Sequence, residues 1–299
     1  MGMQAMGLSR RAFLGGAAGM CSARAAHASE RPARRIMAMD WVSGQNLLAL
    51  GIAPLAMPEL ERYSELVVEP ALAAGIRELG LRSEPNLELI YRLKPELVIM
   101  NGDLAPMWEP LSTIAPICFF DPDPFGKADD LVQARHALSD LAGQLGASDA
   151  FDRFAQSVDA ELAAGKQRLA RYDRRPLYVA TVIDGRRMLI FGKNSLFQSV
   201  LDHFGIENAW TGPVSRYGHV TASADRLTDR PDARLLCVGD TSHETLKTLL
   251  TSPVIASLPF VKQDRMMRIP DVLFYGGLPP VRRFARLASL ALSAGGADE

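Results

Sequence analysis

Cysteine is scarce in this chain, with three in 299 residues, and only Cys118 and Cys237 lie beyond position 28. That excludes a disulfide framework. Each sits in a short apolar run, which favours small buried thiols, although an oxidising compartment would permit a bridge. Histidine is equally thin: His136, His203, His219 and His243 follow position 28, none paired at ligand spacing, and no Cys-x-x-Cys occurs. A structural zinc site or a bare transition-metal site is therefore not expected. No Gly-x-Ser-x-Gly elbow and no Walker loop is present, so the common hydrolase and nucleotidase signatures are missing together. Net charge is only −1, which supplies no electrostatic reason to hold nucleic acid or anionic lipid. Past residue 28 no apolar run is long enough to span a bilayer. These absences describe a binding protein rather than an enzyme.

What is present begins with an address. Ser9-Arg10-Arg11-Ala12-Phe13-Leu14 is a twin-arginine box, followed by a weakly apolar stretch from Phe13 to Ala23 and an A-x-A site at Ala26-His27-Ala28. The pattern predicts a twin-arginine signal peptide over 1–28 and a mature protein that starts at Ser29 and works in the periplasm. Cys21 is no lipoprotein site, because Met20 before it is too large. The mature chain carries 30 basic and 34 acidic residues, a mildly acidic mixture.

Short apolar runs alternate with helical patterns, which predicts α/β architecture. Strands are expected over Arg35–Trp41, Glu96–Met100, around Cys118, over Leu177–Ile183 and Met188–Phe191, and over Ala233–Val238. Ser43 is expected to cap a helix ending at Gly51. Further helices are expected over 86–93, with Leu87, Ile90 and Leu93 or Leu89 and Leu93 inward, and over 109–114. Ser195 opens an amphipathic helix carrying Leu196, Phe197, Val200, Leu201 and Phe204 on one stripe. Others are expected near 244–250 and over Pro280–Leu292. No proline occurs between Ala128 and Tyr172. There Ser148 is the expected cap of a helix over Asp149–Arg171, roughly 35 Å long at 1.5 Å per residue. Phe151, Phe154, Val158, Leu162 and Leu169 form its apolar stripe. Such a helix can brace two lobes, 29–147 and 173–299, across a strut at 148–172 with a cleft between them; two ordinary helices of one domain are the alternative.

Several segments carry a resemblance. They are Met39-Asp40-Trp41 with Leu47 to Pro54, Gly80 to Leu89, Leu93 to Val98, Leu189 to Gln198, Gly205 to Trp210, and Phe274-Tyr275-Gly276. In this order they resemble the solute-binding proteins of iron-siderophore ABC importers, in particular those for ferric hydroxamates, over about Arg35 to Leu292. The resemblance implies a class III periplasmic-binding architecture: two α/β lobes bridged by one long helix, with little hinge closure. It also implies a ferric siderophore as ligand, an inner-membrane ABC permease as partner, no cofactor, and iron only as siderophore-bound cargo. No nucleic acid, no stable membrane insertion and a monomer are expected.

A hexadentate siderophore fills the coordination sphere of iron, so the protein needs oxygen-directed donors and an apolar, largely aromatic wall rather than metal ligands. By the resemblance Arg82 donates to the hydroxamate oxygens, its fork suiting neighbouring acceptors. Three aromatic positions of the family fall on Leu66, Leu104 and Leu273, and a fourth on Tyr217. Tyr63 lies near the first and Trp108 near the second, while Phe274 and Tyr275 are kept. A hydrophobic cleft remains, suited to a trihydroxamate or a mixed-ligand complex. Glu109 and Asp225 match the acidic pair, one per lobe, that the family presents to permease arginines; helix capping is the plainer role for both. Rivals keep the fold and change the cargo to a catecholate complex, haem or cobalamin, with Tyr63, Tyr217 and His219 as axial candidates for haem. An exported enzyme is the rival from another class.

Overall fold

The computed structural model describes residues 35–122, 130–239 and 243–294. The expected signal peptide lies outside them. Two sheets organise what is described. Three parallel strands, in the order Ile36–Ala38, Leu97–Met100, Ile117–Phe119, form the first. The second has five, in the order His219–Ser223, Arg187–Phe191, Leu177–Val182, Arg234–Val238, Met266–Ile269. Its first two pairings are antiparallel and its last two parallel.

Alternation along the inner strands explains why they are buried on both faces, whereas the edge strands Ile117–Phe119 and His219–Ser223 are partly exposed. Ile36 and Ala38 enter the large central core, whereas Met37 and Met39 enter an outer cluster with Val98 and Met100. Leu177, Val179 and Leu236 likewise face the centre, while Tyr178, Ala180 and Cys237 face an outer cluster around Phe260. Cys118 and Cys237 are free thiols, the first half-buried and the second buried.

The helix over Ser148–Arg168 packs its expected stripe into the central core: Phe154, Val158 and Leu162 are buried, as is Leu169 just beyond it. Residues 169–171 tighten into a 3-10 turn, so the regular helix is about 31 Å long. It lies against the C-terminal helix Leu278–Ala294. There Arg168 donates to Glu161 at 2.9 Å and Ser289 at 3.0 Å. The central core contains strands of both sheets and this helix, which is the lobe–helix–lobe α/β arrangement expected.

Two expected caps shift. The first helix is Trp41–Ala49, and its cap is Asp40, whose carboxylate accepts from the Ser43 N–H at 2.7 Å and the Ser43 hydroxyl at 2.9 Å. Asp40 is the residue with the extended backbone a cap requires; Ser43 is already helical. Ser148 is likewise the first helical residue after an uncapped Ala147. Leu87 is exposed, leaving Leu89, Ile90 and Leu93 as the inward face of Leu87–Leu93. The helix expected over 109–114 runs from Trp108 to Ser112. Ser195 caps Leu196–Phe204 as expected, accepting from the Gln198 N–H at 3.1 Å, and all five stripe residues are buried.

A charged tie links the N-terminal part to the C-terminal helix. Glu69 accepts from Arg283 at 2.6 Å and also pairs with Arg286. Burial alone would raise the Glu69 carboxyl, but hydrogen bonds and charge from Arg286 and Arg283 outweigh it and hold it below its ordinary value. The stabilisation is present above the unfolded carboxylate range and is lost as pH falls through the depressed folded value. Replacing Glu69 by Gln is expected to lower stability by about 1–3 kcal/mol at neutral pH and to flatten this acid dependence, read by urea unfolding across pH.

Candidate functional site

Loops leaving the carboxyl ends of the parallel strands meet between the halves, the usual crevice of open α/β sheets. Asp40-Trp41-Val42 follows the first strand and Asn101 to Leu104 the second. Phe274 and Tyr275 follow the last strand, while Tyr217 and His219 lead into the edge strand. Together with Arg82 and Ser83 these groups line a cleft of about 470 Å³, within the usual range for a small-molecule site. A narrow void of about 20 Å³ lies behind Tyr217, Phe274 and Tyr275. Another groove of about 540 Å³, at Asp184, Arg186 and Thr251, has no aromatic lining.

Arg82 is positioned by its neighbours in sequence. Gly80-Leu81 pairs antiparallel with Glu84-Pro85, leaving Arg82 and Ser83 as the two-residue tip. The Glu78 carboxylate clamps this hairpin, accepting backbone N–H bonds from Gly80 at 2.7 Å, Glu59 at 2.9 Å and Leu60 at 2.7 Å. Glu59 in turn stands behind Arg82, with Nε 3.4 Å from Oε2. That contact is ionic without being a formed hydrogen bond, since Oε2 has no hydrogen-bond partner. The guanidinium lies 4.9 Å over the Trp41 ring and interacts electrostatically with Tyr275. Burial alone would lower its pKa; Tyr275, Glu59 and Asp40 reverse that and raise it. Arg82 therefore stays cationic while 38% of its side chain remains open to the cleft.

Asp40 joins the two loops of the first sheet, because its carboxylate also accepts from the Asn101 N–H at 2.9 Å. Burial pushes its carboxyl above the ordinary value against the pull of those Ser43 and Asn101 bonds. Facing it is an aromatic cluster. The Phe274 ring meets Phe191 at 5.5 Å, His219 at 5.2 Å and Tyr275 at 5.1 Å. Tyr217 stacks on His219 at 6.1 Å and accepts a hydrogen bond from Arg216. Gly218 permits this loop: its φ is +74°, and a Cβ there would lie 2.3 Å from the Ser195 nitrogen.

Among the described residues no group of three or more His, Cys, Asp or Glu side chains is placed to hold a metal ion, and no helix is long and apolar enough to cross a membrane. Residues 36–273 match the periplasmic binding protein family. The chain belongs to that family. It is 36% identical over 267 residues to the iron(3+)-hydroxamate-binding protein FhuD of Escherichia coli, covering 89% of this chain and 90% of that one. It is 26% identical over 256 residues to the ferric-anguibactin-binding protein FatB of Vibrio anguillarum, covering 82% and 75%. The structure of siderophore-binding FhuD from Vibrio cholerae, bound to Fe3+-Desferal, superposes with a TM-score of 0.79 at 25% identity, covering 87% of this chain and 98% of that one.

Within this periplasmic binding protein, Arg82, Leu104, Tyr217, Phe274 and Tyr275 line the cleft. Four other expected wall residues do not. Tyr63 is fully buried in the central core, its hydroxyl donating to the Pro70 carbonyl at 2.8 Å. Leu66 packs half-buried against that core, and Leu273 is buried within it. Trp108 is 49% exposed and lies outside the lining. Glu109 and Asp225 are both exposed, at the starts of short helical segments in different halves. Sequence reasoning missed Asp40, Trp41 and Val42, and also Ser83, Asn101, Asp103 and His219 as lining. Position just past a strand's carboxyl end was the available signal for the residues at 40–42 and 101–103.

The halves are tied at the cleft's edge by one carbonyl. Gly276 O accepts from Gln45 Nε2 at 3.1 Å and Asn46 Nδ2 at 2.9 Å, both buried. Gly276 has φ +109°, and a Cβ there would fall 1.9 Å from Gln45 Nε2. Gly276→Ala is expected to destabilise by about 1–3 kcal/mol through backbone strain alone and to shift Tyr275. Thermal melting and ligand titration of the variant check both effects.

Proposed function

We propose that this protein captures a ferric hydroxamate-type siderophore in the periplasm and delivers it to an inner-membrane ABC importer for iron uptake. The observation that carries the reading is the charge of the cleft. Arg82 is the only Lys or Arg among its described lining residues, whereas Asp40 and Asp103 both line it and Glu59 stands behind the guanidinium. Three hydroxamates cancel the three charges of ferric iron, and one arginine suffices to meet their oxygens. A strongly anionic catecholate complex would face more carboxyl groups than cations here. The aromatic rings of Tyr217, Phe274 and Tyr275 suit the organic shell. Likeness to the E. coli hydroxamate-binding protein over nearly its whole length supports the same cargo class.

The reading takes 1–28 as a twin-arginine export signal, 29–147 and 173–299 as lobes, and 148–172 as the strut. The protein acts as a monomer by binding and release rather than by turnover. Glu109 and Asp225 orient docking on permease arginines, which fixes geometry and quickens encounter.

Titration with iron(III)-desferrioxamine or ferrichrome is expected to quench intrinsic fluorescence with micromolar or tighter affinity, mostly through Trp41, since Trp108 lies outside the cleft lining. No response to any ferric trihydroxamate would defeat the reading. Arg82→Ala is expected to weaken binding roughly 10- to 100-fold; an unchanged affinity moves the site elsewhere.

A further inference from the structure

His219 is an aromatic cleft residue with unused polar capacity. His219 lines the wall contributed by the second sheet, half-buried, with Phe191 edge-on at 6.1 Å, Phe274 edge-on at 5.2 Å and Tyr217 stacked at 6.1 Å. Those rings fix the imidazole plane but hold neither nitrogen: among the described residues no side-chain hydrogen bond to His219 occurs. A neutral imidazole has one donor and one acceptor nitrogen, and here both capacities are left for whatever fills the cleft. A packing role alone would be served as well by a phenyl ring, which makes the two roles separable.

Arg82 is supplied by the first half and, on the proposed reading, takes the hydroxamate oxygens. With the hydroxamate oxygens taken by Arg82, the amide N–H groups of such a ligand's organic backbone are donors available to the other wall. We propose that His219 is a specificity-determining residue whose uncharged imidazole accepts a hydrogen bond from a backbone amide N–H of the siderophore. This rests on the proposed cargo class. Burial lowers the imidazole below its ordinary value, which keeps the acceptor nitrogen free at neutral pH. A bound ligand that uses this acceptor lowers it further, so affinity is complete above the free-protein value and falls as pH drops through it.

The test compares the native protein with His219→Phe and His219→Gln, titrated with iron(III)-desferrioxamine between pH 5 and 8. Phe keeps the ring packing and is expected to lose roughly five- to tenfold in affinity at neutral pH. Gln keeps an acceptor and is expected to bind nearly as the native protein does. Native affinity is expected to fall several-fold toward pH 5, and both variants to lose that fall. The other charged or titratable groups lining this cleft are Arg82, Asp40, Asp103, Tyr217 and Tyr275, with Arg216 on the Tyr217 hydroxyl and Glu59 behind Arg82, all kept in both variants. An acid dependence that survives in them belongs to those groups and overturns the assignment. So does a His219-dependent shift in the visible charge-transfer band of the complex, which would mean direct coordination of iron. Equal binding by native and Phe proteins removes the inference and leaves the cargo reading intact. Failure of the native protein to bind any ferric trihydroxamate removes both.

Discussion

Arg82 couples the two halves electrostatically: its guanidinium lies against Glu59 and Trp41, and Tyr275 of the other half adds to the pull that keeps it charged. A charge in that position cannot be fully buried, since desolvation would cost more than one ion pair returns. It cannot be fully solvated either, because bulk water would weaken every contact it makes with a ligand. The cleft answers both demands by leaving the group partly open and surrounding it with carboxyl groups that are themselves held. Glu78 fixes the hairpin that carries Arg82 and the turn that carries Glu59, so donor and counter-charge move as one unit.

The same economy governs the rest of the frame. One continuous core runs from the first sheet through the Ser148–Arg168 helix to the second. Two polar ties then cross between the N-terminal part and the C-terminal elements: the Gly276 carbonyl, and Glu69 with its two arginines. A ligand whose iron is already fully wrapped has a fixed size and needs no closing jaws. A cleft held by a shared core and walled by aromatic rings, with one cation in its lining, suits such a ligand.

Legibility followed the range of the interaction. Ser195 and its five-residue stripe were readable because cap and period lie within ten residues. The strut was readable because its pattern continues without proline. Ser43 misled because the helix starts two residues before it, where Asp40 has the extended backbone of a cap and a carboxylate that also accepts from the Asn101 N–H. Tyr63 and Leu66 misled for a different reason. The resemblance put Leu66 at a wall position with Tyr63 near it, but the helix Leu60–Leu66 is short and turns these two residues toward the central core.

From the chain's residues came the α/β class and the long helix after Ser148, while the bridged-lobe architecture and the choice of Arg82 came from motifs shared with the family. All of these rest on local patterns or motifs in contiguous sequence. Which side chains share the cleft was settled by tertiary structure. Asp40, Arg82, Asn101, His219 and Tyr275 are brought together from loops up to 235 positions apart. Nothing in local propensity records which strand end faces which, because packing of both sheets on one helix sets that distance.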